Sequence, residues 1–183
     1  MIYPFLNLKT VGIAIGLLLM AGHLLALLAP AGTQKRLKEF PRSRQAGIVL
    51  LVIVAAWAFW LVATMDLGEF SKYRTLLKIL VPAAWFLSLK FVDEFLAVRA
   101  LGILLLLLAE PVFEVAFLKP GTGRLLLVVL AYAWTILGLF WVGMPFLLRD
   151  QIAWLTKDGT RWRVGCFAGI AYGVAVLLGA ILG

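Results

Sequence analysis

Glu110 and Glu114 lie four residues apart within an apolar run, so on a helix they share one face. Pro111 follows the first of them and removes a backbone donor, which loosens a helix at that level. A carboxylate near the centre of a bilayer costs at least about 2.5–3.5 kcal/mol on insertion scales, so it usually faces protein or water. Two chemistries suit such a pair. One is the binding and release of protons or cations, helped by like-charge repulsion that favours keeping one acid protonated. The other is structural neutralisation, by a basic partner or by hydrogen bonds. Lys78 is the basic candidate, because on a neighbouring antiparallel helix it would sit at nearly the depth of Glu114. His23, the only histidine, stands beside Gly22 and has the chemistry of a proton relay. The commoner role of a lone membrane histidine is a single interhelical hydrogen bond. Glu110, Glu114, Lys78 and His23 are therefore the candidate ion or proton site.

Other chemistries find no residues to work with. One histidine cannot ligate a haem twice, and one histidine with one cysteine, Cys166, falls short of the clusters that hold zinc. No intrachain disulfide is possible with a single cysteine. The chain has no nucleophile elbow, zinc-protease helix, phosphate-binding loop or dinucleotide motif. The expectation is a non-enzymatic protein with no evident cofactor and no metal site. A lipid-active enzyme using a basic face for headgroups is a weaker idea, since no nucleophile has a visible base.

The elements that must position these residues follow from composition. Of 183 residues, 64% are hydrophobic and 14% charged, against about 45–50% and about 25% in soluble domains. A core of this size cannot hide that surplus, so lipid must be the solvent. A spanning helix needs about 20 apolar residues, and six segments qualify: Val11–Ala29, Gly47–Met65, Thr75–Val92, Ala100–Leu118, Arg124–Leu148 and Val164–Leu182. The third is the weakest, being interrupted by Lys78 and Pro82, and the fifth is long enough to tilt. The expected fold is thus all-α, one six-helix transmembrane bundle over residues 1–183 with short loops. The first apolar run exceeds the length of a signal-peptide core and lacks a basic start, so it reads as a retained helix.

Charge sets the expected orientation. Lysine and arginine outnumber aspartate and glutamate 17 to 9. Lys35, Arg36, Lys38, Arg42 and Arg44 fall between helices one and two, Lys90 and Arg99 between three and four, and Arg149, Lys157, Arg161 and Arg163 between five and six. The excess places these loops in the cytoplasm and both termini outside, in a plasma or inner membrane. Counted from that side, Glu110 falls near mid-bilayer and Glu114 toward the outer surface. Lys35, Arg36, Lys38, Arg42 and Arg44 are expected to lie along anionic lipid headgroups rather than on nucleic acid. Lys90, Asp93, Glu94 and Arg99 read as a solvated turn. Trp154 and Trp162 read as interfacial, each keeping its indole N–H wet.

Glycines suggest how the helices meet. Gly165, Gly169 and Gly173 recur every four residues on the last helix, and Gly12 and Gly16 do so on the first. Small residues at this spacing let backbones approach, within the chain or against another subunit. The leading functional expectation is an accessory, assembly or scaffolding subunit of a larger membrane complex, or a self-associating protein, acting through helix contacts. The alternative is a small proton- or cation-coupled transporter or channel that uses Glu110.

Overall fold

The first helix begins where Asn7 and Thr10 cap each other reciprocally, the Asn7 side chain accepting from the Thr10 backbone N–H at 2.8 Å. In a computed structural model describing residues 2–91, 94–119, 121 and 123–182, eight α-helices follow. They are α1 (Leu8–Leu28), α2 (Pro30–Glu39), α3 (Arg44–Thr64), α4 (Arg74–Phe91), α5 (Leu96–Ala116), α6 (Gly123–Gly143), α7 (Phe146–Thr156) and α8 (Gly159–Leu182). Among the described residues there is no strand. Five of the helices, α1, α3, α5, α6 and α8, are long and apolar enough to cross a membrane, consistent with a helical membrane protein. The expected third span is present as α4, but Arg74, Lys78 and Lys90 fall within its 18 residues and it is not among the five.

The connections are more regular than the sequence suggested. Pro30 takes the first turn of α2, where its missing N–H costs no hydrogen bond. The segment expected to trail along headgroups therefore folds as α2 and a 3-10 turn, Phe40–Arg42. The expected single helix over Arg124–Leu148 ends at Gly143 instead. Pro145 disfavours helical geometry in the residue before it, and α7 restarts the chain in a new direction. Asp158 closes that connection by capping α8, accepting from the Thr160 N–H through its side chain and from the Trp162 N–H through its carbonyl. Trp162 departs from its expected interfacial place. It is 4% exposed and its indole N–H donates to the Ala26 carbonyl across to α1.

The helices pack in the order α4, α3, α5, α6, α8, α1, with α1 also touching α5. Except between α4 and α3, the contacts are close because glycine lies at the crossing. A Cβ at Gly16 would come within 2.9 Å of the Gly173 carbonyl, and one at Gly102 within 2.8 Å of the Gly138 carbonyl. At the start of α3, Gly47 would meet the Ala97 nitrogen at 2.8 Å. Thus α5 becomes the axis of the bundle, with Val98 and Val115 among its fully buried side chains. One end of the bundle carries α2, α7 and most of the basic residues. The opposite end carries residues 2–7, the 3-10 turn Gly68–Tyr73 and the last turn of α5.

Candidate functional site

Glu110 and Glu114 project from the C-terminal half of α5 into one cleft of about 560 Å³, open on one side. Leu106, Ala109, Phe113 and Phe117 of the same helix line it with Thr135 of α6. The spacing of these positions is that of one helical face. The Thr135 hydroxyl donates to the Ala131 carbonyl at 2.9 Å, so what it turns to other groups is oxygen lone pairs. Among the described residues, every polar side chain lining the cleft is therefore acidic or an acceptor, a lining that suits a proton or a cation rather than an anion.

The N-terminal segment supplies partners the sequence did not advertise. Tyr3 is 5% exposed, and its hydroxyl accepts from the Trp57 indole N–H of α3 at 2.9 Å. The same hydroxyl interacts with the Glu110 side chain. Burial pushes the Tyr3 phenol up to about 12, so it keeps its proton and donates it toward the carboxyl while accepting from the indole. Beside it, the Ile2 backbone N–H donates to Glu114 Oε1 at 2.5 Å. One oxygen of Glu110, Oε2, is buried and has no hydrogen-bond partner. A buried acceptor left unmatched is costly, of order 1–3 kcal/mol. A cation beside that oxygen would match it, and a proton on the carboxyl would remove the cost of burying its charge. No signal in the sequence marked Tyr3, which stands in the short segment ahead of the first apolar run.

The other two candidates are not brought to this pair. Among the described residues no ion pair joins Lys78 to Glu114. The reason is the packing order: Gly47 seats α3 against the start of α5, and α3 takes the place beside α5 that the pairing required of α4. His23 lies in the half of α1 nearer the basic end. Its Nδ1 meets the Leu19 carbonyl at 2.7 Å, and since a carbonyl only accepts, Nδ1 carries the proton. The bond is within its own helix, not across helices as expected. The interhelical contact is the ring itself, resting on Gly169 of α8.

The glycine stripe is consumed within the chain. Gly12 faces Ala180, Gly16 faces Gly173 and Leu177, and Gly165 faces Leu155 of α7. Of the expected headgroup residues, Lys35, Arg36, Lys38, Arg42 and Arg44 are all exposed at the basic end. In the expected solvated turn, Arg99 is half-buried and donates to the Val142 carbonyl at 3.2 Å. Glu94 is exposed, and Asp93 lies outside the described residues. Among the described residues no group of three or more histidine, cysteine or acidic side chains stands ready for a metal. No family model matches the chain, and neither a curated protein nor a solved structure does.

Proposed function

We propose that this chain is a small proton- or cation-handling membrane protein in which Glu110 is the exchanging carboxyl. The observation that carries the reading is the buried, unpartnered Oε2 of Glu110 at the wall of the open cleft. An intramembrane carboxyl reached by a cavity usually marks a pathway. Tyr3 holds one side of the group through a donated hydrogen bond, and Glu114 lies one turn nearer the outer end, where an incoming cation meets it first. On this reading α4 completes a six-pass bundle, with both termini outside and the basic end in the cytoplasm. In support, consecutive long helices run alternately between the two ends, and the side rich in lysine and arginine faces inward by the usual rule.

Reconstitution in proteoliposomes with an internal pH-sensitive dye tests this. The wild-type chain should dissipate an imposed pH or cation gradient, and Glu110→Gln should abolish that flux while helicity is unchanged. Flux from the wild type no greater than that of empty liposomes, or a Gln variant that transports normally, would sink the reading.

A second reading, an assembly or scaffolding subunit, is favoured by α4, which buries no residue and has α3 as its main neighbour. A further chain or a second copy laid on α4 would cover it. Purification in mild detergent should then yield a defined oligomer or stoichiometric partners. A monomer that crosslinks to nothing in native membranes would exclude this.

A further inference from the structure

At the basic end, residues more than a hundred positions apart converge on one small cavity. Lys38 from the end of α2, Arg42 from the 3-10 turn and Arg149 from α7 line a space of about 220 Å³. Its floor is apolar, made by Pro41, Ile152 and Ala153. The volume is well above the roughly 30 Å³ share of one water, so there is room for a phosphate-sized group. We propose that Lys38, Arg42 and Arg149 form a binding site for the phosphate of an anionic phospholipid headgroup.

The scaffold around the cavity is rigid where it needs to be. Ile152 is buried in a cluster with Val98 and Leu148, and Leu37 and Phe40 pack onto the same cluster. The backbone positions from which the three cations extend are therefore fixed by core packing, although the side chains themselves are exposed. Arg149 is oriented further by Phe95, whose ring centroid lies 6.0 Å from the guanidinium carbon. Among the described residues Asp150 is the one carboxylate in contact, pairing with Arg149 at 2.8 Å. It occupies only part of the guanidinium, which has five N–H donors. Three cations against one carboxylate leave the site positive, matched to an anion and repelling a further cation.

Two features make the source of that phosphate a lipid. The cavity sits at the end of the bundle marked by interfacial tryptophans: Trp154 on α7 is 60% exposed with Arg161 stacked on it at 4.9 Å, and Trp141 donates to the Gln151 side chain at 3.1 Å. The apolar floor matches the glycerol and first acyl carbons of a lipid, whereas free phosphate has nothing to place there. A basic pocket between helices at this level is a familiar way to hold an anionic headgroup. The inference does not depend on the role given to Glu110.

The full chain in mild detergent, followed by native mass spectrometry and thermal unfolding, tests it with three probes: phosphatidylglycerol, phosphatidylcholine and inorganic phosphate. Phosphatidylglycerol should bind and stabilise, and phosphatidylcholine should do neither. Lys38→Gln, Arg42→Gln and Arg149→Gln should each weaken phosphatidylglycerol roughly fivefold. Lys35→Gln and Arg163→Gln, which remove the same charge at the same end, should change it by less than about twofold. Asp150→Asn should tighten binding by freeing the rest of Arg149, a gain that a misfolded variant could not produce. Equal losses in the two control variants would overturn the site in favour of diffuse surface charge. Equal binding of phosphatidylcholine, or displacement of phosphatidylglycerol by inorganic phosphate, would overturn the lipid assignment.

Discussion

The pairing of α1 with α8 and the pairing of α3 with α4 are both antiparallel helix contacts, yet they are built in opposite ways. Along α1 and α8, glycine meets backbone: Gly16 lies against Gly173 and Leu177, and Gly169 lies under the His23 ring. Along α4 there is no buried residue and no glycine; Trp85 and Leu89 lean on a cluster formed by Leu51, Leu96 and Ala100. In lipid the hydrophobic effect does not press helices together, so association depends on close contact and on polar links. The first pair has both, since Trp162 also donates to the Ala26 carbonyl. The second has no glycine on α4, and its one hydrogen bond among the described residues lies at the connecting end, where Arg74 donates to the Met65 carbonyl at 2.8 Å. The first pair is therefore scaffold, and α4 is the edge of the molecule.

The largest effect should come from wedging the tight pair. A side chain at Gly173 would meet the Met20 Cγ at 2.9 Å and the Gly16 carbonyl oxygen and Met20 nitrogen at 3.0 Å. Two of those three atoms are backbone and cannot rotate away. Gly173→Leu should cost about 3 kcal/mol or more of stability, read as a large fall in the unfolding midpoint in detergent. A midpoint within error of wild type would mean that α1 and α8 are not held by backbone approach.

Gly169→Ala makes a subtler test, because its Cβ meets the His23 ring rather than backbone. A ring can turn at the cost of its bond to the Leu19 carbonyl, so the expected loss is about 1–2 kcal/mol. In a His23→Ala background the same change should cost roughly 1 kcal/mol less. An unchanged cost in the double variant would show that the ring and the glycine do not share the strain.

These features were unequally legible in the sequence. The apolar runs and the acidic pair could be read directly, because length and composition decide what lipid accepts. The stripe on α8 could be read because its repeat is local. Gly47, Gly102 and Gly138 could not, since each stands alone among large residues and its importance appears only when a second helix arrives. The same holds for Lys78. Its depth along the chain is compatible with Glu114, but helix neighbours are set by which glycines meet, and that put α3 in the way. Tyr3 was hidden for a different reason: residues 2–7 look like a tail until Trp57 and Glu110 are brought to them.

Tyr3 is also the tie that the C-terminal end of α3 has in place of glycine. Tyr3→Phe keeps the ring that packs at 5.6 Å from Trp60 and removes only the hydroxyl. That leaves the Trp57 N–H without its acceptor and Glu110 without its donor. The loss should be about 1 kcal/mol, smaller than at either glycine, and flux through Glu110 should shift in its pH dependence. A Phe variant with wild-type stability and an unshifted profile would detach Tyr3 from the site.

The smallest effect is expected on α4, and its smallness is what the comparison requires. Ile79 and Phe86 are 61% and 60% exposed, so detergent or lipid already surrounds them and truncation opens no cavity. Phe86→Ala should change stability in detergent by no more than about 0.5 kcal/mol. In native membranes the outcome divides the two functional readings. If α4 is covered by another chain, the same substitution removes an anchor from that contact, and crosslinked species should diminish although the isolated protein is unaffected. If Phe86→Ala costs 2 kcal/mol or more in the isolated chain, on the scale of a buried aromatic, then α4 is held as firmly as α8 and the contrast between the two pairings is mistaken.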